Sequence, residues 1–177
     1  PAAPVAPPLP LVPPTDVGAL SPTPEDAQRA RERIDATVKE AQASSGADAA
    51  ALWFEVGRLH EHELGDLRNA AGSYQEAHKA DPTYLPVIHA ARRLFAHLGK
   101  WGMVVVLIDE ELKLPDAPVT ALLVEKARLF ETRLPRPDDA AALYQQALQA
   151  DAGCAPAVDG LVRHLEQRGA WGEVVEV

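Results

Sequence analysis

The side chains with catalytic or metal-binding potential in this chain are six histidines, a single cysteine and a regular row of arginines. His60-Glu61-His62-Glu63 has the residue types of a helical zinc-protease motif but not its spacing. The second histidine must sit four residues after the first to share a helix face, and position 64 is leucine. His60 also falls at an aromatic packing position of a repeat described below, so a packing role is expected for it. His62, His89 and His97 are expected on one face, and three imidazoles suffice for zinc. No carboxylate or cysteine is aimed at them, so no metal is expected. Cys154 stands at a helix start, where a thiol pKa can fall, but it has no basic neighbour in sequence and reads as a small turn residue. The chain has no nucleophile elbow and no glycine-rich phosphate loop. No catalytic residue and no cofactor is expected.

Arg58, Arg93, Arg128 and Arg163 lie 35 residues apart, one at the same point of each successive helix. Glu61, Glu131 and Glu166 follow three of them at i+3 and predict ion pairs within the helix. Arg93 has Ala96 at that place, so it is expected to lack such a partner and to be the strongest binding residue of the row. A spacing of four puts Phe54, Arg58 and His62 on one stripe and His89, Arg93 and His97 on the next. The two stripes are expected to face each other across one pocket.

The elements that hold this row are read from an internal repeat. Ala70, Tyr74, Ala77 and Asp81 recur seventy residues later as Ala140, Tyr144, Ala147 and Asp151, and Trp101-Gly102 recurs as Trp171-Gly172. The seventy residues split into halves of 35, with apolar rows Trp53, Ile88, Leu123, Val158 and His60, Phe95, Phe130, Leu165. Helices are expected at 24–44, 48–64, 66–80, 83–98, 100–114, 117–134, 137–150 and 154–168, with a stub from 170. Thr23 caps the first, with Pro24 at its first position. Gly57, Ala127, Ala70 and Ala140 allow close helix crossings that Tyr74 and Tyr144 fill, and Asp81-Pro82 stops a helix.

Trp53, Gly57, Ala70, Tyr74, Ala77 and Pro82 stand where the tetratricopeptide repeat has its W, G, A, aromatic, A and P, with one extra residue in the turn before Gly65. The third unit keeps Ala127, Ala140, Tyr144 and Ala147, with Ala152 in place of the proline; the second is weaker, with Ile108 at the aromatic slot. Residues 48 to 177 therefore resemble the tetratricopeptide family, in the degenerate paired-unit form of large bacterial repeat proteins. The resemblance implies an all-α, right-handed solenoid of antiparallel helix pairs, with repeats at about 48–82, 83–117, 118–152 and 153–177. It places the first helix of each pair, and so Phe54, Arg58, His62, His89, Arg93, His97, Arg128 and Arg163, along a concave groove. It implies a non-catalytic scaffold that binds another protein or a peptide, and the expected lining of Phe54, two arginines and three imidazoles suits an extended peptide carrying a carboxylate beside an apolar side chain. The lysine and asparagine clamp for chaperone tails is not reproduced, since Phe54 stands where it needs lysine. The alternatives are an assembly subunit stacking through uncapped terminal helices and a regulatory domain of a larger protein.

Composition narrows the classes further. A net charge of −9 repels phosphate backbones and argues against nucleic acid as a partner. One cysteine excludes an internal disulfide framework. No apolar run approaches the roughly 20 residues that cross a bilayer, and no signal peptide is visible, so a cytoplasmic location is expected, or a periplasmic or envelope one if a signal precedes Pro1. Nine of the 16 prolines fall in residues 1 to 24, where Asp16 is the only charge. Residues 1–23 read as an extended linker, with docking on the solenoid or on a partner as alternatives, and 24–47 as an N-terminal packing helix. The apolar run ending at Val177 reads as the middle of a helix, and hence as a piece of a longer array.

Overall fold

The structure, a computed structural model, describes residues 23–169; the proline-rich segment and the stub from 170 lie outside the described residues. Eight α-helices are seen among the described residues: α1 (Pro24–Ala43), α2 (Gly46–Arg58), α3 (Leu67–Ala80), α4 (Leu85–His97), α5 (Trp101–Glu111), α6 (Val119–Thr132), α7 (Pro137–Ala150) and α8 (Ala155–Gln167). The expected boundaries hold within a few residues. Thr23 Oγ1 accepts the Asp26 amide at 3.2 Å, closing the first turn of α1 as its sequence predicts. Consecutive helices pack as antiparallel pairs, α2 with α3, α4 with α5 and α6 with α7, and α8 packs on α7.

The extra residue before Gly65 has a definite place. The end of α2 widens into a π-helical turn, Leu59–Glu63, in which the Leu64 amide donates to the Leu59 carbonyl at 3.2 Å. The Asp66 amide, at the cap of α3, then donates to the His60 carbonyl at 2.8 Å. The third repeat closes in the same way, with Arg136 donating to Phe130 at 2.9 Å. In the second repeat the corresponding bond runs from Lys100 to Phe95 at 2.8 Å, one residue shorter.

Each tyrosine at the aromatic slot is the anchor of its neighbourhood, and Tyr74 and Tyr144 are both 1% exposed. Tyr74 lies with Ile88, Ala91 and Leu94 of α4, and Tyr144 with Ala127 and Phe130 of α6 and Leu161 of α8. α1 packs through Ile34 and Val38 on Val56 and Leu59, and Ile108 bridges α5 to Leu122 of α6. The tyrosines need glycine beside them, but on opposite sides. A Cβ on Gly57, in the same pair, would collide with the Tyr74 ring, whereas for Tyr144 the collision would come from Gly160, in the next pair. Gly57→Ala should therefore lower stability by about 1 to 3 kcal/mol through overpacking. Gly72→Ala, on the open side of α3 where nothing lies within 4 Å, should raise it by about 0.5 to 1 kcal/mol through helix propensity. Urea midpoints of the two variants moving in the same direction would contradict this.

Candidate functional site

The arginine row lies on the first helix of each pair, but its ion pairs differ from the expected ones. Arg58 pairs with Glu55 at 3.6 Å, not with Glu61. Glu61 instead reaches forward to the next repeat, where Arg93 lies 3.3 Å away, and it accepts the Tyr74 hydroxyl at 2.6 Å. The arrangement recurs seventy residues on, where Glu131 accepts the Tyr144 hydroxyl at 2.9 Å and pairs with Arg163 at 3.2 Å. So Arg93, expected to lack an acid, has one from the preceding repeat, and the expected pairs of Arg128 with Glu131 and Arg163 with Glu166 do not form. The physical reason is reach. The glutamate projects between two first helices, where it can serve the buried tyrosine and the neighbouring arginine together.

The electrostatics follow. The Arg163 hydrogen bond holds the Glu131 carboxyl below the usual carboxylate range. Burial, reinforced by the bond to Glu131, pushes the Tyr144 hydroxyl up to about 12, and burial with the Glu61 bond raises Tyr74 as well. Both tyrosines thus stay protonated donors at neutral pH. His60 packs as its aromatic position predicts; its Nδ1 is buried without a hydrogen-bond partner, and burial lowers its pKa.

The remaining residues separate. His62, Arg93 and His97 line one hollow of about 280 Å³ together with Glu61. His89 lines a different one of about 380 Å³ beside Trp101, with its Nε2 3.1 Å from Glu111 Oε1. Arg93 lines both, so the single pocket expected from the two stripes is a pair of adjoining hollows with Arg93 between them. Phe54 lines neither, because its ring, partly buried, packs 5.9 Å from both Tyr74 and Tyr84 against the core. Among the described residues no three histidine, cysteine or acidic side chains gather as a metal site, and no helix is long and apolar enough to cross a membrane. Arg128 borders a larger depression of about 570 Å³ with Val124, Glu125, Asp151, Cys154 and Pro156; its charge helps hold the Glu131 carboxyl low, but among the described residues it forms no ion pair.

No family profile matches the sequence, and no curated protein matches it. Solved structures do resemble the fold. A tetratricopeptide repeat protein from Parabacteroides merdae aligns over 85% of this chain at 16% identity with a TM-score of 0.54, and the chain spans 63% of that protein's length. MamA aligns over 85% of this chain and 88% of its own at 13% identity and TM-score 0.56. Kinesin light chain TPR-like repeats from Podosopora anserina align over 86% and 89% at 16% identity and TM-score 0.52. The chain has the fold of a tetratricopeptide solenoid.

Within that solenoid, the residue missed by sequence reasoning is Arg92. It binds both Glu111, at the end of α5, and Glu125, on α6, and its side chain is only 13% exposed. Glu111 is 3% exposed and is further bonded to His89. These groups join the second tetratricopeptide unit to the third by charge, where the flanking units use alanine and tyrosine. The signal was in the sequence: Arg92 stands 35 residues from Gly57 and from Ala127, in a row that continues to Val162 and is otherwise uncharged.

Proposed function

We propose that the chain is a non-catalytic protein-interaction scaffold that takes an extended peptide along the face built by α2, α4, α6 and α8. The observation that supports this most is Arg128, which sits beside the 570 Å³ depression and, among the described residues, forms no ion pair. Its guanidinium offers a forked donor set suited to a carboxylate. Glu125 and Asp151 on the same rim can accept from peptide N–H groups, and Val124 and Pro156 can take an apolar side chain. That mixture fits an extended peptide with a carboxylate next to an apolar residue. Arg58, Arg93 and Arg163 remain about half exposed after pairing, so neighbouring carboxylates of the same peptide can reach them.

Displayed random peptides selected on the chain, then measured by fluorescence anisotropy, test the reading. Arg128→Ala is expected to weaken the selected peptides by about tenfold, a loss of about 1.4 kcal/mol. Its melting temperature should not change, because no ion pair is broken. Selected peptides that bind Arg128→Ala as tightly as the parent would sink this site.

A further inference from the structure

From Trp101 to Ile108, before the acids of its last turn, helix α5 carries apolar residues on every side, a pattern that belongs to buried helices. Three of its sides are covered. Val104 and Ile108 pack on Leu122 of α6, Leu107 joins the cluster around Tyr74, and Val105 packs against the third repeat. The fourth is open, with Met103 40% and Val106 49% exposed. These two side chains border a cleft of about 350 Å³ whose other lining residues include Ala71 and His78 of α3 and Ala91 and Phe95 of α4. The cleft lies between the second helices of two pairs and shares no residue with the arginine row.

The chain's own repeats show that this apolar pair is peculiar to α5. Placing Trp101-Gly102 on Trp171-Gly172 sets Met103 on Glu173 and Val106 on Glu176. Placing Ile108 on Tyr74 and on Tyr144 sets Met103 on Asn69 and Asp139, and Val106 on Gly72 and Ala142. At every other copy of the two positions the residue is polar or small. Scattered exposed apolar residues are ordinary, but a pair at i,i+3 on the lip of an apolar cleft, replaced by polar or small residues at every other copy, is not.

The surroundings select the occupant. Lys79 of α3 and Glu110 of α5 stand on the two lips, each already paired, with Glu76 at 2.6 Å and with Lys113, just past α5, at 2.8 Å. A second copy of the chain would bring one net charge of −9 against another and would offer two exposed apolar side chains here. A stable dimer needs roughly 800 Å² from each partner. The walls are helices whose backbone groups are already bonded, so they offer no ladder to an extended strand, and the ligand must satisfy its own backbone. A short helix does so, and positive charge on its flanks complements the acidic chain. We propose that the cleft between α3 and α5 docks a short cationic amphipathic helix of a partner protein, whose apolar side chains at i, i+3 or i+4 enter over Ala91 and Phe95 and close on Met103 and Val106.

The probe is a labelled peptide of about four helical turns with leucines on one face and lysines on the other, titrated by anisotropy at physiological salt. The parent chain should bind it with a rise in peptide helicity by circular dichroism. Met103→Glu with Val106→Glu installs the residues that the sequence itself carries at 173 and 176, and should weaken binding at least tenfold. Ala142→Glu, an added charge on exposed α7 surface, should not weaken it. Attraction by net charge alone would strengthen binding in the double variant, so equal or tighter binding there overturns the proposal, as does a parent chain that does not bind. A parent dimer in light scattering that the double variant dissociates would give the cleft to a second copy and overturn it too. Thermal melts of both variants check that the fold is kept.

Discussion

Tyr144→Ala is expected to cost about 3 to 5 kcal/mol of stability, the range for removing a fully buried aromatic side chain. Tyr144 is 1% exposed, lies against Ala127, Phe130 and Leu161, and receives α8 so closely that only glycine fits at position 160. Its removal therefore leaves a cavity that three helices would have to move to close. Tyr74→Ala should cost the same, since Tyr74 is as deeply buried. Tyr144→Phe separates the two contributions, because it keeps the volume and loses only the hydroxyl bond to Glu131, worth about 1.5 kcal/mol for a charged acceptor. A urea midpoint that barely moves in the alanine variants would mean that the repeats are not held by this anchor.

Glu111→Ala comes next, at about 3 kcal/mol, the low end for breaking a buried ion pair. The substitution leaves Arg92 largely buried with Glu125 as its remaining carboxylate and takes the partner of His89 away. The ledger differs if both charges go. Arg92→Met with Glu111→Leu removes the desolvation cost along with the attraction, so the double variant should recover most of the loss. A double variant as unstable as Glu111→Ala would show that the network is needed for something other than charge compensation. Denaturant titration of the three variants decides it.

Much of the fold was legible because it is written locally. Thr23, Pro24 and Asp81-Pro82 mark helix ends by their own chemistry, and the seventy-residue match of Tyr74 with Tyr144 needs no structure to be seen. The site was legible only in part. Periodicity says which residues share a helix face, and so found the arginine row. It does not say which of two helices supplies the nearer carboxylate. Glu61 lies three residues from Arg58 and 32 from Arg93, yet the distant one holds it, because the buried Tyr74 hydroxyl fixes the glutamate between helices. The same periodicity places Phe54 in the groove, whereas the ring of Tyr84, arriving from a loop, holds it partly buried against the core. Arg92 was passed over because a charged residue at a close-packing position looks like surface until Glu111 and Glu125 are seen around it.

The three closing turns also carry a record of descent. The amide before the second helix reaches back six residues in the first and third repeats, Asp66 to His60 and Arg136 to Phe130, and five in the second, Lys100 to Phe95. An insertion shared by alternate units and absent between them is most simply inherited once. The closure repeats every seventy residues, as does the match of Tyr74 with Tyr144. The heritable unit of this array is thus the pair of repeats. A designed insertion of seventy residues keeps the two kinds of turn alternating, whereas inserting 35 within the array sets two turns of the same kind side by side.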